Sequence, residues 1–191
     1  MLIQPFGFNA TGKSVGRLVG VGQQFGGGSV GAVFGTYPNQ YGIIVANETI
    51  TGSYAWGNNG TVTTSQGLLT GTTNTANILA FDSNAFPAKF CNEYTGSGQT
   101  DWVLPSQNDL VSILQQGNSV LAVPFNSNPI LGSTLYWSST GGVSFNTAIF
   151  VDFNPSSPYS GNVGAGFRCC GPSSPGPGLP FRPVRYFDYR T

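Results

Sequence analysis

Residues 100–114 read TDWVLPSQNDLVSIL, and this stretch carries the strongest local structural signal in the chain. Ser106, followed three residues later by Asp109, forms a capping box, in which each side chain bonds the other residue's backbone N–H at the start of a helix. Gly117 supplies a stop signal, because glycine suits the backbone turn that ends a helix. The pattern predicts a short helix from Gln107 to about Gln115. Its core-facing side chains are expected to be Leu110, Ile113 and Leu114.

A second helical signal lies upstream, in the segment FPAKFCNEY at residues 86–94. Aromatic side chains recur there at helical spacing, namely Phe86, Phe90 and Tyr94. Pro87 suits a first helical turn, and Gly96 can close the end. These two segments are the only ones in which the sequence predicts a helix.

The remaining apolar runs are typical of β-strands. Residues 29–37 and 41–50 predict two strands joined by a turn at 38–40, and the segment WGNNG at 56–60 predicts a tight loop. Further aromatic and β-branched runs are LYWSST, TAIFVDF and PFRPVRYF. The stretch GPSSPGPGLP at 171–180 is too proline-rich for a helix or a paired strand and predicts an exposed loop. Two short helices followed by an antiparallel, loop-rich sheet define an α+β fold.

The composition excludes several classes of function. Asp, Glu, Lys and Arg together make up 7% of the 191 residues, histidine is absent and the net charge is zero. A nucleic-acid partner is not expected, since seven basic residues cannot form a phosphate-binding track. Four arginines lie near the C-terminus, and we expect them to pair with nearby carbonyls and carboxylates. They are Arg168, Arg182, Arg185 and Arg190.

The segment GFNATGKS at residues 7–14 matches the phosphate-binding pattern G-x-x-x-x-G-K-[ST]. Such a loop needs a strand before it and a helix after it whose N-terminus faces the phosphates. Pro5 disfavours the strand, and the glycines that follow Lys13 disfavour the helix, since each costs roughly 1 kcal/mol relative to alanine. We therefore interpret residues 1–26 as an extended arm for attachment or oligomerisation.

The sequence shows no secretory leader and no apolar run long enough to span a membrane. It thus predicts a chain made in the cytoplasm, although its charge-poor composition is typical of proteins that work outside cells. A virion protein, made inside a host and released by lysis, reconciles the two observations.

An ordered set of motifs resembles the C-type-lectin-like domain of the DUF1566 group, found in bacterial surface and phage-encoded proteins. The motifs span roughly Gly26 to Phe187, and the pair formed by DWVLPSQNDL and YWSST is the most specific part. The resemblance implies a C-type-lectin-like domain over residues 27–191, following the arm. It also assigns Trp102 and Trp137 to the core, with Asp101 hydrogen-bonded where the capped helix starts. The full set is GGGSVGAVF, WGNNGT, NTANIL, KFCNEY, TDWVLPSQNDLVSIL, LYWSST, TAIFVDF and FRPVRYF.

The cysteines depart from the family pattern. Cys91 matches the cysteine of the family's first helix, but Pro183 stands where the family often has the partner cysteine. Cys169 or Cys170 could replace that partner, so the pairing stays open. For a cytoplasmic product, three reduced cysteines are the plain expectation.

No enzymatic activity, cofactor or metal is expected. Without histidine, Ser-His-Asp and Cys-His arrangements are impossible, and no zinc ligand set exists. The carboxylates are too few and scattered for the calcium-dependent sugar site of true C-type lectins. The resemblance to lectin-like domains implies that the long loops around the final strands face outward, where aromatic and amide side chains can bind a ligand. The candidate ligand-binding residues are Phe145, Asn146, Asn154, Ser156, Tyr159 and Asn162.

The expected function is therefore that of a virion surface protein. It would be a receptor-binding or adhesin module of a phage tail fibre or particle surface that recognises a host-surface glycan or protein. The arm would attach it to other virion proteins, and it would form a homo-oligomer, with a trimer as one option. The alternatives are a purely structural virion component, such as a capsid decoration or fibre-base protein, and a secreted adhesin at the bacterial surface.

Overall fold

Two antiparallel sheets and three α-helices are present among the residues that the computed structural model describes, which are 18–48, 50, 52, 54–125, 134–154, 163–167 and 178–190. The α+β class and the antiparallel sheets are thus confirmed. The helices are α1 (Gly71–Phe81), α2 (Phe86–Glu93) and α3 (Gln107–Gln116). The strands are β1 (Gln24–Phe25), β2 (Gly28–Phe34), β3 (Tyr41–Ala46), β4 (Leu135–Gly141), β5 (Thr147–Asp152), β6 (Val163–Phe167) and β7 (Val184–Asp188).

The first sheet has the order β1-β2-β3-β7 and joins the two ends of the described chain. The β2–β3 hairpin was predicted, and it pairs Phe34 with Tyr41 across the turn. Strand β7 lies antiparallel to β3, with Val184 opposite Val45. Val103, just before α3, forms a bridge with Val184. The last strand is therefore held on one side by the N-terminal hairpin and on the other by the segment that leads into α3.

The second sheet has the order β4-β5-β6. Leu135 pairs with Asp152 at one end of the β4–β5 hairpin, and the register shifts between Trp137 and Gly141 as the turn approaches. Such an irregularity increases the local twist and re-aims the end of a hairpin. Here the chain leads into an outward-facing turn at residues 142–146.

Helix α3 forms where the capping box predicted it. Asp109 N–H donates to Ser106 Oγ at 3.2 Å, and Ser106 N–H donates to Asp109 Oδ2 at 2.8 Å. Gly117 ends the helix, and a Cβ there would overlap the carbonyl of Gly31 on β2. This close approach brings the buried face of α3 onto the first sheet, with Leu110 and the other buried side chains in one cluster.

The prediction of only two helical segments is wrong, because α1 is also helical. Its sequence, GTTNTANILAF, is rich in threonine and asparagine, lowers local helix propensity and lacks a side-chain N-cap. Tertiary contacts hold it instead. Ile78 is buried in the core, and Asn74 bonds both the N–H and the carbonyl of Ser65, each at 2.7 Å. Helix α2 matches its prediction closely, and its buried thiol Cys91 is free.

The two tryptophans assigned to the core are buried, as predicted. The indole of Trp137 donates to Tyr54 O at 2.8 Å, and that of Trp102 to Gly96 O at 3.3 Å. Asp101 is hydrogen-bonded, as predicted, but its partner is on β7 and not in the helix entry. Its side chain is 57% exposed and pairs with Arg185 on β7, whereas the buried carboxylate at the start of α3 is Asp109.

The C-terminal arginines within the described residues pair as predicted. Arg185 bonds Asp101 and donates to Gly26 O at 2.6 Å, and Arg190 bonds Asp188. Arg182 is buried, and it donates to Ala46 O at 2.8 Å and to the carbonyl of Val123. Burial lowers its pKa to about 10.

Within the segment predicted as an arm, the described residues 18–26 belong to the folded domain. Val19 is buried, and its backbone exchanges two hydrogen bonds with the Gln40 side chain, at 3.0 and 3.1 Å. Residues 18–28 contain turns and strand but no helix, as their glycines predicted. The segment GFNATGKS and residues 171–177 of the proline-rich loop lie outside the described residues, as do Cys169 and Cys170. At the end of that loop the prediction of an exposed, unpaired segment is wrong, because Leu179 is buried in the core and forms a bridge with Tyr54.

Candidate binding surface

The predicted ligand-binding residues do not lie together. Phe145 and Asn146 occupy the β4–β5 turn, where the Phe145 side chain is 63% exposed. Asn154 follows the other end of β5, so the length of that strand, roughly 17 Å, separates it from the turn. Ser156, Tyr159 and Asn162 lie outside the described residues. Of the predicted residues that the structure describes, only Phe145 and Asn146 therefore share one surface, that of the β4–β5 turn.

The β4–β5 turn is held by its own hydrogen bonds. Gly142 N–H donates to Thr147 O at 2.8 Å, and Thr147 N–H donates to Ser144 O at 3.0 Å. The Thr147 hydroxyl also donates to Ser144 O at 3.1 Å. A Cβ on Gly142 would overlap that hydroxyl, so the position requires glycine. The turn consequently holds Val143 and Phe145 outward, and both are exposed.

The WGNNG loop attaches this turn to α1 through Gly60. Gly60 N–H donates to the carbonyl of Phe145 at 2.8 Å. The ring of Phe81, at the end of α1, lies where a Cβ on Gly60 would stand, and Gly60 has a φ of +150°. Both observations require glycine at residue 60. The ring of Phe81 therefore rests on the loop backbone while its side chain stays 44% exposed.

Asp82 fixes the asparagines beside these rings. Its carboxylate accepts from Asn58 N–H at 2.9 Å and from Asn84 N–H at 3.0 Å. Asp82 is buried, whereas Asn58, Asn59 and Asn84 are exposed. One carboxylate thus ends α1 and anchors the loop that precedes it, a role that short acidic side chains often take in turns.

These three segments form one surface, which we call the amide–aromatic surface and define by residues 58–60, 81–84 and 143–146. It presents Phe81, Val143 and Phe145 among asparagine and serine side chains. Its single ionisable side chain is Asp82, whose carboxylate is occupied by two backbone N–H groups. Such a surface has the components for recognition, since aromatic side chains supply contact area and amides supply adaptable hydrogen bonds.

A buried carboxyl with a perturbed pKa lies elsewhere, at Asp109. Burial raises the pKa of this carboxyl, and hydrogen bonds from Tyr186, Leu69 and Ser106 offset part of the rise. A perturbed pKa often marks a functional site, but structural networks perturb pKa values as well. Asp109 is fully buried and takes part in the capping box, so its environment fits a structural role.

The described residues contain no group of three His, Cys, Asp or Glu side chains placed to hold a metal ion. No helix in the described part of the chain is long and apolar enough to cross a membrane.

Sequence reasoning missed Phe81, Asn58, Asn59 and Asn84 as members of this surface. The WGNNG segment was predicted only as a loop, and the segment ending in Phe81 was not predicted as a helix. The available signal in the sequence was the pair of asparagines before Gly60, because asparagine and glycine together favour a tight turn. Comparisons with protein-family models, with curated proteins and with solved structures found no match for this chain.

Proposed function

We propose that this chain is a non-enzymatic virion surface protein, a receptor-binding or adhesin module that contacts the host through the amide–aromatic surface. The observation that carries the proposal is the exposure of Phe145 and Phe81 on backbone fixed by Gly60 and Asp82. Exposing large apolar side chains on a rigid support has no benefit for stability. It is what a binding surface requires, since preorganised aromatic groups lose little entropy on binding.

Within this proposal the domain is C-type-lectin-like. Two features support that assignment: short helices precede a loop-rich antiparallel sheet, and strands from both ends of the described chain share one sheet. Trp102 and Trp137, which the motif resemblance places in the core, are also buried.

In this proposal the protein is attached to other virion proteins through its N-terminal segment, and it forms a homo-oligomer. Because Val19 and β1 pack against the sheet, the attachment function is assigned to residues 1–17. Removing them would spare Val19 and the β1–β2 pair. A deletion through residue 26 would remove part of the folded domain.

Binding of the labelled, intact protein to bacteria susceptible to the particle tests the function. We expect saturable binding that Phe145→Ala weakens roughly tenfold or more, as truncation of an exposed aromatic anchor does in other interfaces. Val120→Ala is the matched control, because Val120 is an exposed apolar residue beside Gly22 and outside the amide–aromatic surface. The control variant should bind like the wild type.

The results separate the proposed function from its alternatives. Binding that Phe145→Ala leaves unchanged would place the receptor site elsewhere on the molecule. No detectable binding to any susceptible host would contradict the adhesin function and favour a structural virion component. In that case, deletion of residues 1–17 should still lower incorporation into particles.

A further inference from the structure

The chemistry of the amide–aromatic surface narrows the class of ligand. Its two exposed rings, Phe81 and Phe145, come from different elements and are joined through Gly60. The face of an aromatic ring is electron-rich and attracts groups with partial positive charge. The C–H groups on one face of a pyranose ring have this character, so a sugar ring can lie flat on a phenylalanine.

The polar groups around the rings suit hydroxyl groups. Asn58, Asn59 and Asn84 are exposed, and their backbones are fixed by the Asp82 carboxylate and the Gly60 contacts. Each amide offers both donors and an acceptor, and a sugar hydroxyl likewise donates and accepts. A hydroxyl-rich ligand can therefore satisfy these side chains without any charged partner.

The absence of basic side chains from the surface distinguishes between charged and uncharged glycans as ligands. An acidic glycan is ordinarily held by arginine or lysine, and residues 58–60, 81–84 and 143–146 contain neither. A calcium ion that binds a sugar needs several free carboxylate oxygens. The surface has one carboxylate, Asp82, and its two oxygens already accept hydrogen bonds from Asn58 N–H and Asn84 N–H. The surface thus matches an uncharged ligand and offers no calcium ligand set.

The size of the apolar area also argues against a protein partner. Stable protein interfaces bury about 800 Å² on each partner, with a continuous apolar centre. Here the apolar side chains are two rings and Val143, set among amides and hydroxyls within three short segments. Single rings set among amides on this scale match individual sugar units better than they match a protein surface.

We infer that the amide–aromatic surface binds an uncharged glycan of the host surface, with one sugar ring stacked on Phe145 and hydroxyls bonded by the neighbouring asparagines, and without a metal ion. This inference rests on the proposed function and goes further by naming the ligand class and its metal independence.

The test uses cells to which the intact protein binds. Samples are treated with periodate, which cleaves vicinal diols of sugars, or with protease, and binding is measured again. In parallel, polysaccharide extracted from the same cells is divided by anion exchange into uncharged and acidic fractions, which then compete with the cells. We expect periodate and the uncharged fraction to abolish binding, and protease and a chelator of divalent cations to leave it unchanged.

Three variants of one residue separate stacking from general apolar contact. Phe145→Tyr keeps an aromatic ring and should retain binding to the uncharged fraction. Phe145→Leu keeps an apolar side chain but loses the ring, and Phe145→Ala loses both. We expect Phe145→Leu to weaken binding roughly threefold to tenfold, close to the effect of Phe145→Ala. Thermal unfolding of each variant checks that the fold is retained.

The possible failures are distinguishable. If cells bind the protein but protease alone removes binding, the ligand is a protein and the glycan inference is overturned while the receptor-binding function stands. Competition by the acidic fraction alone, loss of binding on chelation, or full activity of Phe145→Leu overturns it as well. Absence of binding to every susceptible host overturns the proposed function itself.

Discussion

The phenolic hydroxyl of Tyr186 donates a 2.6 Å hydrogen bond to Oδ2 of Asp109, so the last strand is tied to the first turn of α3. The same hydroxyl accepts from the N–H of Gly71 at 3.0 Å, where α1 begins. Asp109 also accepts from Leu69 N–H at 2.7 Å. One buried pair thus joins three elements that are far apart in sequence, and it positions α1, whose end carries Phe81.

Tyr186→Phe should lower the free energy of unfolding by about 1–3 kcal/mol, because it removes one of the two hydrogen bonds to Oδ2 of Asp109 and leaves the Gly71 N–H without its partner in a buried site. Urea unfolding monitored by tryptophan fluorescence measures the change. Tyr37→Phe is the control, since it removes a hydroxyl from a side chain that is 46% exposed. The control should shift stability by less than about 0.5 kcal/mol. Equal effects of the two substitutions would contradict the role assigned to Tyr186.

The stability of the protein should depend on pH through Asp109. Burial raises its pKa above the ordinary value of 3.8, so above that value the folded state keeps a proton that the unfolded chain releases. The contribution is complete below the unfolded pKa and is lost as the pH rises through the folded pKa. Between about pH 4 and pH 7, the free energy of unfolding of the wild type should therefore fall relative to that of Asp109→Asn. Urea titrations of both proteins across this range give the difference, and a difference that does not change with pH would contradict the prediction.

Asp188 should affect the pH dependence of stability in the opposite direction to Asp109, and in a lower pH range. Its hydrogen bonds with Arg190 lower its pKa to about 2. The stabilisation is then present above the ordinary value of 3.8 and is lost as the pH falls towards about 2. Because the pair is exposed, the effect should be small and should shrink in salt. The two carboxyls can be distinguished, since their ranges lie on opposite sides of the unfolded value.

Gly60→Ala should disturb the amide–aromatic surface more than the fold. The new Cβ would overlap the ring of Phe81 at a backbone conformation that favours glycine, so the ring or the loop must move. We expect a loss of about 1–3 kcal/mol in unfolding free energy, together with weaker cell binding. Gly98→Ala makes a matched control, since Gly98 also has a positive φ, of +72°, but nothing lies within 4 Å of its Cβ position. Loss of stability in both variants, with loss of binding only in Gly60→Ala, supports the role of the ring contact.

Cys91 should be protected from thiol reagents in the folded protein. It is fully buried on α2, and burial raises the pKa of its thiol well above the ordinary value. Because the thiolate is the reactive form, alkylation should be at least about a thousandfold slower than in denaturant. Iodoacetamide labelling with and without guanidinium, followed by mass spectrometry of the Cys91 peptide, measures the ratio. Rapid labelling under native conditions would show that α2 opens readily.

Local signals in the sequence were sufficient where neighbouring residues provide the stabilising contacts. The capping box of Ser106 and Asp109, the β2–β3 hairpin and the burial of Trp102 and Trp137 were all predicted, because each follows from short-range pattern or from strong apolar character. The α1 helix was missed, because its threonines and asparagines oppose a helix locally. Only contacts such as that of Asn74 with Ser65, across a loop, make it stable.

The binding surface shows the same division. Phe145 and Asn146 were predicted from the lectin-like resemblance, which implies outward loops around the final strands, and from their aromatic and amide side chains. Their partners were not, since Phe81 and Asn58 come from segments far along the chain that meet through Gly60 and Asp82. Asn154 was grouped with Phe145 because both were placed in the loops around the final strands, yet an intervening strand carries them to opposite ends of the second sheet.

The sequence by itself determined the α+β class, the two capped or aromatic helices, the strand pairs of the first hairpin and the scarcity of charge. The tertiary structure alone decided which exposed groups share a surface. The physical reason is that local patterns report the energy of near neighbours, whereas the amide–aromatic surface depends on contacts between backbone and side chains from three separate segments. The contact of the Phe81 ring with Gly60 and the hydrogen bond from Asn58 N–H to the buried Asp82 carboxylate form only when those segments are folded together.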